Sequence, residues 1–204
     1  MFVAVTRLGE GARAALAAHF IALPADDRRL RFGSSLSPES IAGYVERLDF
    51  DRDAMFGVYD DDLRLVGVAH LALGGDVAEL GISVLPEHRR HGTGAALFDR
   101  GAAHARNRFI AKLFMHCLSE NLAIMRIARR SGMDIVVDAG DADAHLELPP
   151  ANPLSVTGEF FTDRLALYDY ALKAHVAVWK GINAALESGA TRTDSAYAVT
   201  TARR

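Results

Sequence analysis

At 204 residues, half of them hydrophobic and 24% charged, the chain has the make-up of a globular protein with one sizeable core rather than of a disordered or fibrous one. Its formal net charge of -3 offers no bulk attraction to nucleic acid or to an anionic membrane, so neither is an expected partner. The single cysteine, Cys117, excludes an intrachain disulfide and a cysteine-based zinc site.

In chain order, residues 2–7 read as a strand and residues 11–23 as an alanine-rich helix stopped by Pro24. No signal-peptide pattern opens the sequence and no apolar run is long enough to span a bilayer, so a cytoplasmic location is expected. Residues 26–35 are polar, without a clear period, and read as a loop. Ser37 followed by Pro38 opens a helix carrying Ile41, Tyr44, Val45 and Leu48 at helical spacing. Residues 55–59 and 63–73 form a hairpin around Asp60, Asp61 and Asp62.

Residues 77–85 read as a strand ended by Pro86. A glycine-marked turn at Gly92 then leads into a helix reaching residue 108, with Phe98, Ala102, Ala105 and Phe109 on one face. Residues 112–118 are an apolar strand, and residues 119–130 a helix ended by Gly132. A strand pair, 133–137 and 145–148, closes the region around an acidic turn at residues 138–143. Pro149, Pro150 and Pro153 mark a boundary, which divides the chain into a domain at 1–150 and an extension at 151–204.

In the extension, Phe161, Leu165, Tyr168, Leu172, Val176, Trp179, Ile182 and Leu186 recur at spacings of three or four and trace one face of a long helix. The remainder from residue 188 reads as a frayed tail. The stripe must be buried on the parent domain or on a second subunit, and a homodimer through it is expected.

The chemistry concentrates in Val84-x-Pro86-x-x-Arg89-Arg90-x-Gly92-x-Gly94. A strand delivers the chain to a turn where glycines remove side chains and a helix begins, which aims free amides and the positive end of the helix dipole at one spot suited to phosphate. The lysine of a P-loop and the third glycine of a dinucleotide fingerprint are absent, so those two readings drop out.

This segment resembles the acetyl-CoA signature of the GNAT superfamily of N-acetyltransferases, and Asn121, Ala123 and the Gly132-Met133 pair resemble the family's following helix. The resemblance covers residues 53–148 and implies a mixed α/β fold. The expected fold is a mostly antiparallel central sheet with splayed strands flanked by helices, to which this chain adds a long C-terminal helix.

It further implies acetyl-CoA as co-substrate, without a metal. Ile82, Ser83 and Val84 would meet the pantetheine arm as an added strand, Arg89, Arg90, His91, Gly92, Thr93, Gly94 and Ala95 the pyrophosphate, and Asn121 the arm again. The implied reaction is attack of a primary amine, on a small molecule or a protein lysine, upon the thioester.

Glu79 and His116 are the candidate bases. The family's tyrosine acid, seven residues after the asparagine, is replaced by Ala128, which keeps a non-catalytic acyl-CoA sensor as the alternative. Arg28, Arg29 and Arg31 border the expected substrate mouth, where they would bind a carboxylate or face solvent.

Overall fold

The computed structural model describes residues 3–201, with side-chain surroundings for residues 3–181. Phe2 of the first expected strand, the side chains of Ile182 and Leu186, and the last three residues of the expected tail lie outside the described residues. The elements run β1 (Thr6–Leu8), α1 (Arg13–Ala22), α2 (Ala25–Phe32), α3 (Pro38–Glu46), β2 (Ala54–Tyr59), β3 (Leu65–Gly74) and β4 (Val77–Val84). They continue with α4 (Thr93–Asn107), β5 (Lys112–Leu118), α5 (Leu122–Arg130), β6 (Asp134–Asp138), β7 (Asp141–Glu147) and α6 (Pro153–Thr201).

The strands form one seven-stranded sheet in the order β1-β2-β3-β4-β5-β7-β6. Every pairing is antiparallel except β4 with β5, which are joined through α4, the crossover a parallel pair requires. Period-two alternation places Leu80 against α4, while Gly81 and Ser83 look toward α1 and α2 on the opposite face. Phe20, Phe56, Leu71, Leu80, Leu97 and Leu113 are fully buried between the layers. This is the mostly antiparallel, helix-flanked sheet that the sequence implied.

Three expectations need correcting. The polar stretch after Pro24 is a helix, α2, and not a loop. Asp26 and Asp27 sit in its first turn and Arg29 and Arg31 in its last, each complementing the helix dipole, and Gly33 ends it at φ 73°. The acidic segment before His145 is strand rather than turn, because Ala142 and Ala144 point inward and the bend narrows to Ala139 and Gly140, both at positive φ.

Phe109 lies beyond the end of α4 and is 83% exposed. It takes the left-handed position of a Schellman motif, and Ile110, whose amide reaches the Ala105 carbonyl at 3.1 Å, fills the core place instead.

The C-terminal helix also departs from expectation. Its backbone is helical through the segment read as a frayed tail, to Thr201. The apolar stripe faces away from the domain, with Phe161, Tyr168 and Trp179 at 61%, 77% and 66% exposure. The docking face is polar and lies two residues out of phase, about 200° around the helix.

On that face, the carboxylate of Glu159 accepts from Arg100 (2.8 Å), His104 (2.6 Å) and Asn107 (2.6 Å), and Arg100 also pairs with Asp163. Arg100 is 5% exposed and lies over the Phe56 ring at 4.6 Å. A buried guanidinium on α4 demands carboxylates, and that demand sets the rotation of α6.

Burial alone would raise the Glu159 carboxyl, but hydrogen bonds from His104, Asn107 and Arg100 outweigh it and hold it well below the usual carboxylate range. Burial pushes His104 down, against the raising effect of Glu159. Both groups are depressed on folding, so both add stability that is complete above their unfolded values, about 6.5 and 4.3, and is lost as pH falls. Arg100→Met is expected to cost roughly 3 kcal/mol by chemical denaturation, because it strands two carboxylates. Between about pH 5 and about pH 2, where Glu159 takes up a proton in the unfolded chain before it does so in the folded one, the melting temperature of the wild type is expected to fall more steeply than that of Glu159→Gln, as measured by calorimetry.

Candidate active site

The site begins where β4 and β5 part. Along β3, strand β4 is paired over its full length, from Gly67 with Val84 to Gly74 with Val77. Along β5 it is paired only from Val77 with Lys112 to Glu79 with Phe114. From Leu80 to Val84, one edge of β4 therefore has no strand partner, and buried backbone groups left unpaired are costly.

The groove that opens along this edge has a volume of about 380 Å³ and is walled by β4, α2, the turn before α4, and α5. Ile82, Ser83 and Val84 line it, as do Arg89, Arg90, Gly92, Gly94, Ala95 and Asn121.

At one end, the chain bends through Arg90 at φ 64° and Gly92 at φ 86° into the first turn of α4. Left-handed backbone at Gly92 suits a residue without a Cβ. Gly94 sits close against α5, where a Cβ would lie 2.9 Å from the terminal methyl of Ile127 and would make that side chain shift. Among the described residues, none of the amides from Arg90 to Ala95 donates to a backbone or side-chain acceptor. This run of free donors at a helix N-terminus is an anion cradle. Arg126 and Arg130, which sequence reasoning did not single out, add positive charge to the wall from α5.

Not every predicted residue faces the groove. Thr93 is buried and its hydroxyl donates to the His88 carbonyl at 3.2 Å, while His91 and Thr93 line a separate cavity beside α6. Their contribution to the cradle is main-chain only. Arg89 is held by the protein, with Nε donating to the Val84 carbonyl at 2.9 Å and the guanidinium paired to Asp27 at 2.7 Å. It braces the turn against α2. Asn121 is both wall and cap, its side-chain oxygen accepting from the Ile124 amide at 3.2 Å. Ala128 is packed in the core at 1% exposure.

The two candidate bases lie on one face of the sheet. Glu79 is exposed at the last residue that β4 pairs with β5 and, like His116, lies outside the groove lining. His116 is exposed on β5 outside the groove lining, where Nδ1 donates to Asp143 at 2.8 Å, and the hydrogen bond from Asp143 raises its pKa. The bond to Asp143 favours the imidazolium form, which has no lone pair with which to accept a proton, and this counts against His116 as the base.

The same face carries polar groups whose meeting the spacing of residues did not reveal. His19 Nδ1 donates to the Leu65 carbonyl at 3.0 Å, so Nε2 accepts from the Ser83 hydroxyl at 2.8 Å; burial pushes this histidine down to about 4 and keeps it neutral. His70 is hydrogen-bonded to Asp53 and to Tyr44, each at 2.9 Å. A lone histidine in the otherwise apolar run of β3 was the one available signal of that network.

Comparison with known proteins agrees with this geometry. No curated protein matches the chain in sequence. Among solved structures, the GNAT domain of S. lividans PAT is similar, with 18% identity, 71% of this chain and 89% of that one covered, and a TM-score of 0.61. The ribosomal-protein-alanine N-acetyltransferase from Brucella melitensis has 19% identity over 71% of this chain and 99% of its own, with a TM-score of 0.56. A GNAT superfamily phosphinothricin acetyltransferase from Sinorhizobium meliloti, in complex with AcCoA, has 13% identity over 75% and 95%, with a TM-score of 0.59.

At such identities the solved structures speak for the fold alone. The sequence model of the acetyltransferase (GNAT) family, however, matches residues 23–133, more than half the chain and the whole of the groove. The chain therefore belongs to the GNAT acetyltransferase family.

Proposed function

We propose that the protein transfers an acetyl group from acetyl-CoA to a primary amine by direct attack, with residues 1–150 forming the catalytic unit. The observation that carries this reading is the run of unpartnered amides from Arg90 to Ala95, continuous with the open edge of β4. A diphosphate fits the first and an extended amide-bearing arm fits the second, in the manner of an added strand. When bound, acetyl-CoA supplies the activated acyl group.

The chain's own residues do the rest. Backbone donors near Val84 stabilise negative charge on the acyl oxygen. Glu79 takes the proton from the incoming ammonium, which at neutral pH is otherwise almost wholly protonated, with a pKa of about 10.4. Ala128 offers no proton to the departing sulfur, and a thiol of pKa about 8.5 leaves as thiolate. The exposed stripe of α6 supports pairing of two copies through that helix, since a contiguous apolar face of this size is otherwise left in water.

Three outcomes are expected. Gly92→Val, which forces a β-branched residue into left-handed backbone, lowers coenzyme A affinity about tenfold by calorimetry; a wild-type protein that does not bind coenzyme A ends the reading. Glu79→Gln lowers the rate at pH 7 about 100-fold and recovers as pH approaches that of the free amine. A larger loss in His116→Gln moves the base to the histidine. Sedimentation is expected to give a dimer for the full chain and a monomer for residues 1–154; a monomeric full chain removes the pairing.

A further inference from the structure

The three arginines of α2 have different fates. Arg28 donates to the Ile21 carbonyl at 3.2 Å and Arg29 is paired with Glu120 at 2.6 Å. Arg31 has no hydrogen-bond or ion-pair partner among the described residues, and its Nε is buried. Two carboxylates of the neighbourhood are engaged elsewhere: Asp27, one turn earlier on α2, holds Arg89 at 2.7 Å, and Asp53 holds His70 at 2.9 Å. A half-buried guanidinium without a counter-ion is costly, which makes its place in the groove wall informative.

Its position is built. The guanidinium lies against the backbone of β4 at Gly81, where a Cβ would come within 2.6 Å of Cζ. Gly81 therefore makes the seat for Arg31. Val84, next to the anion cradle, is three residues further along the strand, about 10 Å away, so the two positive regions serve different anions.

Glu79 lies two residues from Gly81 on the same face of the pleat, about 7 Å along the strand and at the point where β4 leaves β5. A carboxylate and an unpaired guanidinium thus stand one strand repeat apart, the guanidinium in the groove wall away from the cradle and the carboxylate just beyond the groove lining. The two histidines nearby do not compete for an anion: burial, with the charge of Arg31 contributing, lowers both His19 and His70.

We propose that Arg31 anchors a carboxylate carried by the acceptor, so that the acceptor is an amino-acid-like zwitterion whose amine is directed toward Glu79. The fork of the guanidinium matches a carboxylate in two parallel hydrogen bonds, a geometry that a lysine does not reproduce. The direction of the amine rests on the acetyl-transfer reading above; the carboxylate anchor does not.

The test compares free α-amino acids with their α-amides as acceptors. The wild type is expected to favour the carboxylate form in kcat/KM by about 10- to 100-fold, the usual worth of a hydrogen bond to a charged group. Arg31→Met is expected to bring that ratio close to one, and so is Gly81→Ala, which displaces the guanidinium without removing it. The ratio is taken within each variant, so a general loss of folding or of coenzyme binding cancels. Equal use of both forms by the wild type, or an unchanged ratio in both variants, overturns the proposal.

Should coenzyme A bind while no amine is acetylated, the transfer reading fails and the anchor is judged by calorimetry of free amino acids on the coenzyme-loaded protein. Binding that is at least tenfold weaker in Arg31→Met supports the anchor, and equal or absent binding overturns it.

Discussion

Everything at this site depends on the early end of the β4–β5 ladder. Backbone amides and carbonyls are obligatory hydrogen-bonding groups, and a strand edge inside a domain is normally paired or covered. Here the edge from Leu80 to Val84 opens onto a groove. The bend that follows leaves the amides from Arg90 to Ala95 without acceptors as well. Apart from the Val84 carbonyl, which accepts from Arg89, two successive stretches of main chain are thus left to be satisfied from outside the fold. Because these are main-chain groups, the row of donors does not depend on which side chains occupy much of the stretch; the side chains of Thr93 and His91 line a separate cavity while their amides stay in the row.

Polar side chains around the groove mostly serve the scaffold. Arg89 braces the turn to Asp27, Asn121 caps α5, and His19 is kept neutral by burial while it accepts from Ser83. Each is a buried or half-buried polar group with its partner inside the protein, which is the ordinary condition for stability. Against that background, exposed Glu79 on β4 and Arg31 of α2, which has no hydrogen-bond or ion-pair partner among the described residues, stand out on one face of the sheet.

The same logic governs the C-terminal helix. Arg100 and His104 are carried inward on α4 by its apolar neighbours, and once buried they require carboxylates. Glu159 and Asp163 meet that need, so α6 turns its polar face to the domain and its apolar face outward. An apolar contact is worth a few kcal/mol per side chain and tolerates many orientations, whereas an unpaired buried guanidinium tolerates none.

What the sequence by itself determined is local. The hairpin of β2 and β3, the span of β5, the cap at Ser37, and the glycine-marked turn into α4 were legible because each depends on a few neighbouring residues whose backbone preferences act within one turn or one pleat. The family likeness rested on those same neighbours.

Helix α2 was missed because its ends are set by Pro24 and Gly33 and it lacks an apolar period. The acidic hairpin was misread because charge concealed the alternation of Ala142 and Ala144. The rotation of α6, the isolation of Arg31 among three similar arginines, and the meeting of His70 with Asp53 and Tyr44 were decided only by tertiary structure. Each is a pairing between side chains far apart in the chain, and whether a charge finds its partner is a property of packed elements that no run of residues carries.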